Sequence, residues 1–234
     1  MRTFSYLCLL LLAPITLTAE SRAAESRAAE SGAAEPPAEK PPVVEEGFVS
    51  LFDGKTLAGW EGDPGTFRVE NAAILAGSLQ SPIPRNEFLC TKRRYDNFEL
   101  RFEAKLVGPG KNAGVQFRSE RIPNHHEVTG YQCDIGVMDG KSIWGSLYDE
   151  SRRNKFLVQG DHDKIMTKFK PDDWNILVVR CEGPRIRIWV NDVATVDYTE
   201  TEPNIAKTGI IGLQIHGGAP AVASYRHLRI RELR

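Results

Sequence analysis

Three short stretches of this 234-residue chain repeat one arrangement of residue types. In 113–118, Val115 and Phe117 alternate with Gly114, Gln116 and Arg118. In 130–136, Tyr131, Cys133 and Ile135 alternate with Gln132 and Asp134, and in 209–216, Ile211, Leu213 and Ile215 alternate with Gln214 and His216. Successive side chains of a strand point to opposite faces, so each stretch buries an apolar row and turns hydrogen-bonding groups the other way. An ordinary wet face is rich in Lys, Glu and Thr. These faces carry Arg, Gln, Asp and His beside Gly114, Gly130, Gly212, Gly217 and Gly218. Carboxyl and imidazole groups exchange protons, guanidinium groups steady anions, and amides pair with hydroxyls. The set suits a polar cleft for a sugar-like polyol, with glycines lowering the surface so that a ligand comes close.

Other residues are candidates for the same cleft. Trp144, Tyr148 and Trp189 supply rings for the apolar faces of a sugar, with core packing as their plainer role. Tyr148, Asp149, Glu150, Arg152 and Arg153 crowd one segment and either border the cleft or form a surface salt-bridge cluster. His125 and His126 are adjacent, so in a strand they would point apart and not share a metal, and they read as a loop near the site; His162 between Asp161 and Asp163 offers an Asp-His-Asp metal site or, more plainly, a solvated turn. No zinc spacing, phosphate loop, dinucleotide fingerprint or nucleophile elbow is present. The Glu-x-Asp-x-x-Glu strand of sandwich-fold glucanases is also missing; its nearest equivalent is Gln132-Cys133-Asp134, which gives little support to a two-carboxylate retaining reaction.

These groups need strands to position them. Phe98, Leu100, Phe102, Ala104 and Leu106 alternate with Glu99, Arg101, Glu103 and Lys105, a half-buried antiparallel strand whose charged row faces water. Further strands are expected at 66–70, 73–76, 86–91, 113–118, 130–136, 142–148, 174–181, 185–190, 193–198, 209–216 and 222–232, with hairpin turns at Gly183-Pro184 and Asn191-Asp192. No stretch has a sustained helical period. The fold class is all-β: a two-sheet antiparallel β-sandwich or jelly roll.

The whole chain bounds the reading further. A formal net charge of −1 argues against nucleic acid as a partner. Arg2, the apolar run Phe4 to Leu12 and the small residues ending at Ala19 read as a secretory signal peptide over 1–19, so the protein is expected to be periplasmic or extracellular, with no membrane span after cleavage. Residues 20–46, with repeated Glu-Ser-Arg-Ala-Ala followed by an acidic, Pro-rich stretch, read as a disordered linker, leaving 47–234 as one domain. Cys90, Cys133 and Cys181 form at most one disulfide or remain three buried thiols. The oligomeric state is left open.

Several blocks taken in order resemble the 3-keto-disaccharide hydrolase domain family. They are Phe48-Val-Ser-Leu-Phe-Asp-Gly-Lys-Thr-Leu-Ala-Gly-Trp60, Gly114-Val-Gln-Phe-Arg118, Gly130-Tyr-Gln-Cys-Asp-Ile-Gly136, Gly145-Ser-Leu-Tyr-Asp149, Trp174-Asn175 and Gly209-Ile-Ile-Gly-Leu-Gln-Ile-His-Gly217. The resemblance spans about 47 to 234 and implies a concanavalin A-like jelly roll with a concave carbohydrate face. Many members carry Glu-x-Gln where this chain has Gln132-x-Asp134. The implied reaction is hydrolysis of glycosides already oxidised to a ketone at C3. It would use Asp134 and His216 as base and acid in either order, Arg118 or a divalent cation against the enolate, and Tyr148 as a second acid. Gln116, Gln132, Gln214, Trp144, Glu150 and Arg152 would bind the sugar. The competing expectations are a lectin-like carbohydrate-binding module and a structural domain of the cell envelope.

Overall fold

A computed structural model describes residues 45–234. The proposed signal peptide and all but the last two residues of the proposed linker lie outside them. Those two belong to the domain: Glu45 and Glu46 enter a turn, the Glu45 carbonyl accepts from the Phe48 N–H at 3.0 Å, and the Glu45 carboxylate pairs with Arg101.

Two antiparallel sheets face each other. Sheet A contains β1 (Val49–Ser50), β3 (Phe67–Glu70), β4 (Ala73–Ser78), β6 (Phe98–Val107), β12 (Asn175–Glu182), β13 (Arg185–Val190), β14 (Val193–Thr199) and β16 (Ala221–Glu232). Sheet B contains β2 (Trp60–Glu61), β5 (Glu87–Thr91), β7 (Asn112–Arg121), β8 (Val128–Met138), β9 (Lys141–Ser142), β10 (Leu147–Glu150), β11 (Lys155–Val158) and β15 (Ile210–Ile215). Their orders are β14-β13-β12-β6-β16-β4-β3, with β1 on β16, and β11-β10-β8-β7-β15-β5-β2, with β9 on β8. Neighbours such as β6 with β12 and β16, and β7 with β15, are far apart in sequence, as in a jelly roll.

The core lies between the sheets. Phe98, Leu100, Phe102, Ala104 and Leu106 from β6 face Val115 and Phe117 of β7, Tyr131, Cys133 and Ile135 of β8, and Leu213 and Ile215 of β15. Burying such side chains stabilises by about 1.5–3 kcal/mol each. The three cysteines are free and buried, and burial holds Cys90 and Cys181 up at about 12, so all three act as small apolar residues. Tyr225 of β16 stitches the layers by donating to the Gln214 carbonyl at 2.6 Å. The two hairpins form as read, with Asn191 and Asp192 both at positive φ (46° and 67°), the pairing a type I′ turn requires.

Three expectations need correction. Residues 142–148 do not form one strand: β9 ends at Ser142, a tight turn follows with the Gly145 N–H on the Asp134 carbonyl, and β10 begins at Leu147. A five-residue helix, α1 (His162–Met166), interrupts the strands, capped by the Asp161 side chain; a single turn is too short to show a period. Glu99 does not face water. It is 4% exposed and sits among Arg101, Arg180 and Arg231 on neighbouring strands, a cross-strand cluster that alternation within one strand cannot reveal.

Candidate functional site

The outer face of sheet B carries the site. Register places Gln116 of β7 opposite Gln132 of β8, Gly114 opposite Asp134, Tyr148 of β10 opposite Gln132, and Gln214 of β15 opposite Gly114. Four strands that alternate in sequence thus bring their polar rows side by side. The face is polar yet closed: Gln116, Gln132, Asp134 and Gln214 are buried.

A directed hydrogen-bond chain runs through it. The Ser119 hydroxyl is within 3.0 Å of Gln116 Oε1, Gln116 Nε2 donates to Gln132 Oε1 at 2.6 Å, and Gln132 Nε2 donates to Asp134 Oδ1 at 2.5 Å. Two amides in series therefore fix the rotamer of Asp134 and leave its other oxygen for a ligand. The glycines serve this chain. A Cβ at Gly114 would lie 2.5 Å from Gln132 Cδ, and one at Gly130 would lie 2.3 Å from Ser119 Oγ. They make room for buried protein groups, where the sequence suggested close approach of a ligand.

Asp134 opens into a cavity of about 160 Å³ lined by Asn112, Gln132, Asp134, Met138, Ile143, Tyr148, Glu150, Phe156 and His216, room for one pyranose ring. Burial pushes the Asp134 carboxyl up to about 8; the Gln132 hydrogen bond opposes the shift and the Glu150 charge adds to it. Glu150 is also raised, by burial and by Glu127, against the opposing pull of Gln214 Nε2 at 3.3 Å, of His216 and of Ser151. Tyr148, braced edge-on against Phe156 at 5.1 Å, is raised by burial and by the Glu150, Asp134 and Asp149 charges, so its hydroxyl stays protonated. His216 is exposed at the mouth, and its Nδ1 lies 2.6 Å from the Gly217 carbonyl. A carbonyl only accepts, so in the neutral ring the proton resides on Nδ1 and Nε2 carries the free lone pair. Asn112 Oδ1, in the cavity wall, is buried with no protein partner, an arrangement a hydroxyl-bearing ligand satisfies, and Gln214 Oε1, which does not line the cavity, is likewise unpaired.

The structure gathers Asp134, His216, Tyr148, Gln132 and Glu150 around the cavity, with Gln214 beside Glu150 and Gln116 behind Gln132. It removes six others: Trp189 lies on β13 of sheet A, Asp149 and Arg153 pair with each other away from the cavity, and three more turn away. Arg118 sits at a bulge between Phe117 and Glu120 with φ 46°, which breaks the parity of β7 and turns its side chain to the Asp96 and Gly183 carbonyls and to Asn97 Oδ1. Ser119 occupies the face that alternation assigned to Arg118. Trp144 is 3% exposed and packs in the core against Phe169 at 5.1 Å, because the turn before β10 inverts its direction. Arg152 binds Asp149 and lies 4.6 Å over the Tyr131 ring. Asn112, Met138, Ile143 and Phe156 were not foreseen; Asn112 stands two residues before Gly114 in the same polar row, so extending that row by one step would have found it. The second carboxyl in the cavity, Glu150, also restores the pair that the sequence pattern of β8 alone lacked.

Among the described residues no three His, Cys, Asp or Glu side chains gather around one point.

Similar architectures are known. A candidate glycosyl hydrolase from Parabacteroides distasonis superposes with a TM-score of 0.58 at 18% identity, covering 81% of this chain and 95% of its own. Carbohydrate-binding module CBM66 from Bacillus subtilis gives 0.57 at 14% identity over 74% of this chain and 96% of its own. The Bacillus licheniformis β-glucanase gives 0.52 at 12% identity over 80% and 97%. At such identities the likeness shows the fold, a concanavalin-like jelly roll. No curated protein matches the sequence. Residues 47–231, nearly the whole described domain, match one family along their length, and the chain belongs to the 3-keto-alpha-glucoside-1,2-lyase-like domain family.

Proposed function

We propose that this protein cleaves 3-keto-glycosides by elimination and rehydration, and that Asp134 is the acid and His216 the base. Family membership makes the activity carbohydrate-related. The observation that carries the finer reading is the pairing, in one ring-sized cavity, of a carboxyl held protonated near pH 7 with an imidazole whose Nε2 lone pair is free.

A ketone at C3 acidifies the C2 hydrogen. His216 Nε2 takes that proton, and the C2–H electron pair forms the enolate. Collapse of the enolate breaks the C1–O bond as Asp134 passes its proton to the departing oxygen, leaving a C1=C2 enone and the free aglycone alcohol. The Tyr148 hydroxyl donates to the enolate oxygen, a role the family resemblance left to Arg118 or a divalent cation. In the second half Asp134, now a carboxylate, takes a proton from water as it adds to C1. The imidazolium returns its proton to C2. The sum is one water consumed, one 3-keto sugar and one alcohol formed, with both residues restored. Glu150 steadies the transient imidazolium, and Asn112 accepts a sugar hydroxyl.

One observation favours a second reading. Asp134 and Glu150 share the cavity, as a two-carboxylate glycosidase acting on unoxidised sugars would require. Incubation with a 3-keto-glucoside and its unoxidised parent separates the two. Release of aglycone from the keto substrate alone supports elimination, release from the parent supports two-carboxylate hydrolysis, and binding without release from either moves the protein to the carbohydrate-binding modules. The start of the chain supports export as a further proposal; the N-terminal sequence of the mature protein, expected to begin near Glu20, tests it.

A further inference from the structure

A second pocket adjoins the acid cavity. It encloses about 510 Å³ between the β8–β9 hairpin and α1, and Met138 and Ile143 form walls of both spaces. Its other walls are Asp139, Lys141, Ser142, Gln159, Gly160, Asp161, His162 and Asp163. The cavity at Asp134 has room for one ring, so whatever is bonded to C1 of that ring must extend beyond it. The shared wall makes this pocket the adjoining space.

Its chemistry narrows the occupant. Met138, 42% exposed, and Ile143 give the pocket an apolar side, and Val137 (40%) and Met166 (42%), which do not line it, leave further apolar surface exposed on β8 and α1. Exposed apolar groups clustered at a concavity mark a binding surface. Asp139 and Asp163 stand against Lys141, while Asp161 caps α1 and pairs with Lys164 at 3.2 Å. The His162 Nδ1 accepts the Ser142 N–H at 2.9 Å, which leaves its proton on Nε2 as a neutral donor. The surroundings suit an uncharged group with an apolar face and repel an anion.

We propose that this pocket is the aglycone site and that it selects neutral, partly apolar aglycones, aryl groups above all, over anionic ones. The proposal rests on the reading that the Asp134 cavity holds a glycoside. Binding is measured apart from turnover so that the two can fail separately. Methyl, 4-nitrophenyl and 4-carboxyphenyl 3-keto-glucosides, in both anomers, are titrated calorimetrically into the full chain carrying Asp134→Asn, in which the substrate survives. The aryl glucoside is expected to bind about tenfold more tightly than the methyl one, the effect of burying one small apolar ring. Gln159→Trp, an exposed position that lines only the second pocket, is expected to remove that advantage and leave methyl glucoside affinity unchanged. Asp139→Asn with Asp163→Asn is expected to narrow the gap between nitrophenyl and carboxyphenyl glucosides severalfold, as screened surface charges do. Equal or undetectable affinities for the methyl and aryl compounds, or an aryl advantage that survives Gln159→Trp, would overturn it. Nitrophenol release by the unmutated chain reports on the reaction alone: no release together with an intact aryl advantage sinks elimination and keeps the pocket.

Discussion

At the scale of the residue, Asp134 unites function with a cost in stability. Its carboxyl is raised to about 8 in the folded protein, against about 4 in an unfolded chain. A group raised on folding contributes its full stability below the unfolded value and loses it as pH climbs to the folded value, so this residue weakens the fold progressively between pH 4 and 8. Asp134→Asn keeps an oxygen for Gln132 and removes the ionisation. It is expected to stabilise the domain by roughly 2–4 kcal/mol at pH 7, read by thermal or urea unfolding, while lowering turnover of a 3-keto substrate by about 10²–10⁴-fold. A stabilised variant with full turnover would remove Asp134 from the mechanism. Because the acid must begin protonated, the rate should fall as pH rises through about 8 in the unmutated protein.

At the scale of the element, β7, β8, β10 and β15 deliver the site, and the register between β7 and β8 sets its precision. Gln132 donates to the charged form of Asp134 and holds its pKa down. Gln132→Leu should therefore move the alkaline limb of the rate profile to higher pH, a direction that a merely misfolded site would not produce. Gln116→Leu leaves Gln132 Oε1 without its donor and should act in the same sense more weakly. Gly114→Ala drives a methyl into Gln132, with an expected loss of about 1–3 kcal/mol of stability and at least tenfold in rate. Unchanged kinetics in Gly114→Ala would mean that the amide chain does not set the geometry of Asp134.

At the scale of the whole molecule, the layers are locked by buried polar groups as well as by the core. Glu200, just past the end of β14 in sheet A, accepts from the Tyr131 hydroxyl of β8 in sheet B at 2.6 Å and pairs with Arg153 at 2.7 Å, while Arg153 also holds buried Asp149. Burial alone would raise Glu200, but the Arg153 and Tyr131 hydrogen bonds overcome it and bring the carboxyl down to about 2. A depressed carboxylate contributes stability above its unfolded value and loses it as pH falls toward the folded one, so this clamp should weaken between about pH 4.5 and 2. Glu200→Gln is expected to cost about 1–3 kcal/mol at pH 7 and to flatten the acid limb of the stability profile, measured by urea unfolding across pH. An unchanged acid limb would place the acid sensitivity elsewhere.

Local pattern was enough to determine the all-β class, the alternating rows of β6, β7, β8 and β15, both hairpin turns and the family blocks, because strand parity and turn chemistry are properties of neighbouring residues. Asp134, His216, Gln132, Tyr148 and Glu150 were legible as candidates for the same reason. Tertiary structure alone decided which of them meet. A bulge after Phe117 reversed the parity that pointed Arg118 into the cleft, and a turn before β10 sent Trp144 into the core. Neither event has a strong local signature, since a non-glycine residue at positive φ is held there by distant partners, here Asp96, Asn97 and Gly183. The proton on Asp134 was decided at the same level: burial is the sum of everything packed around a group, and no single stretch of sequence contains it.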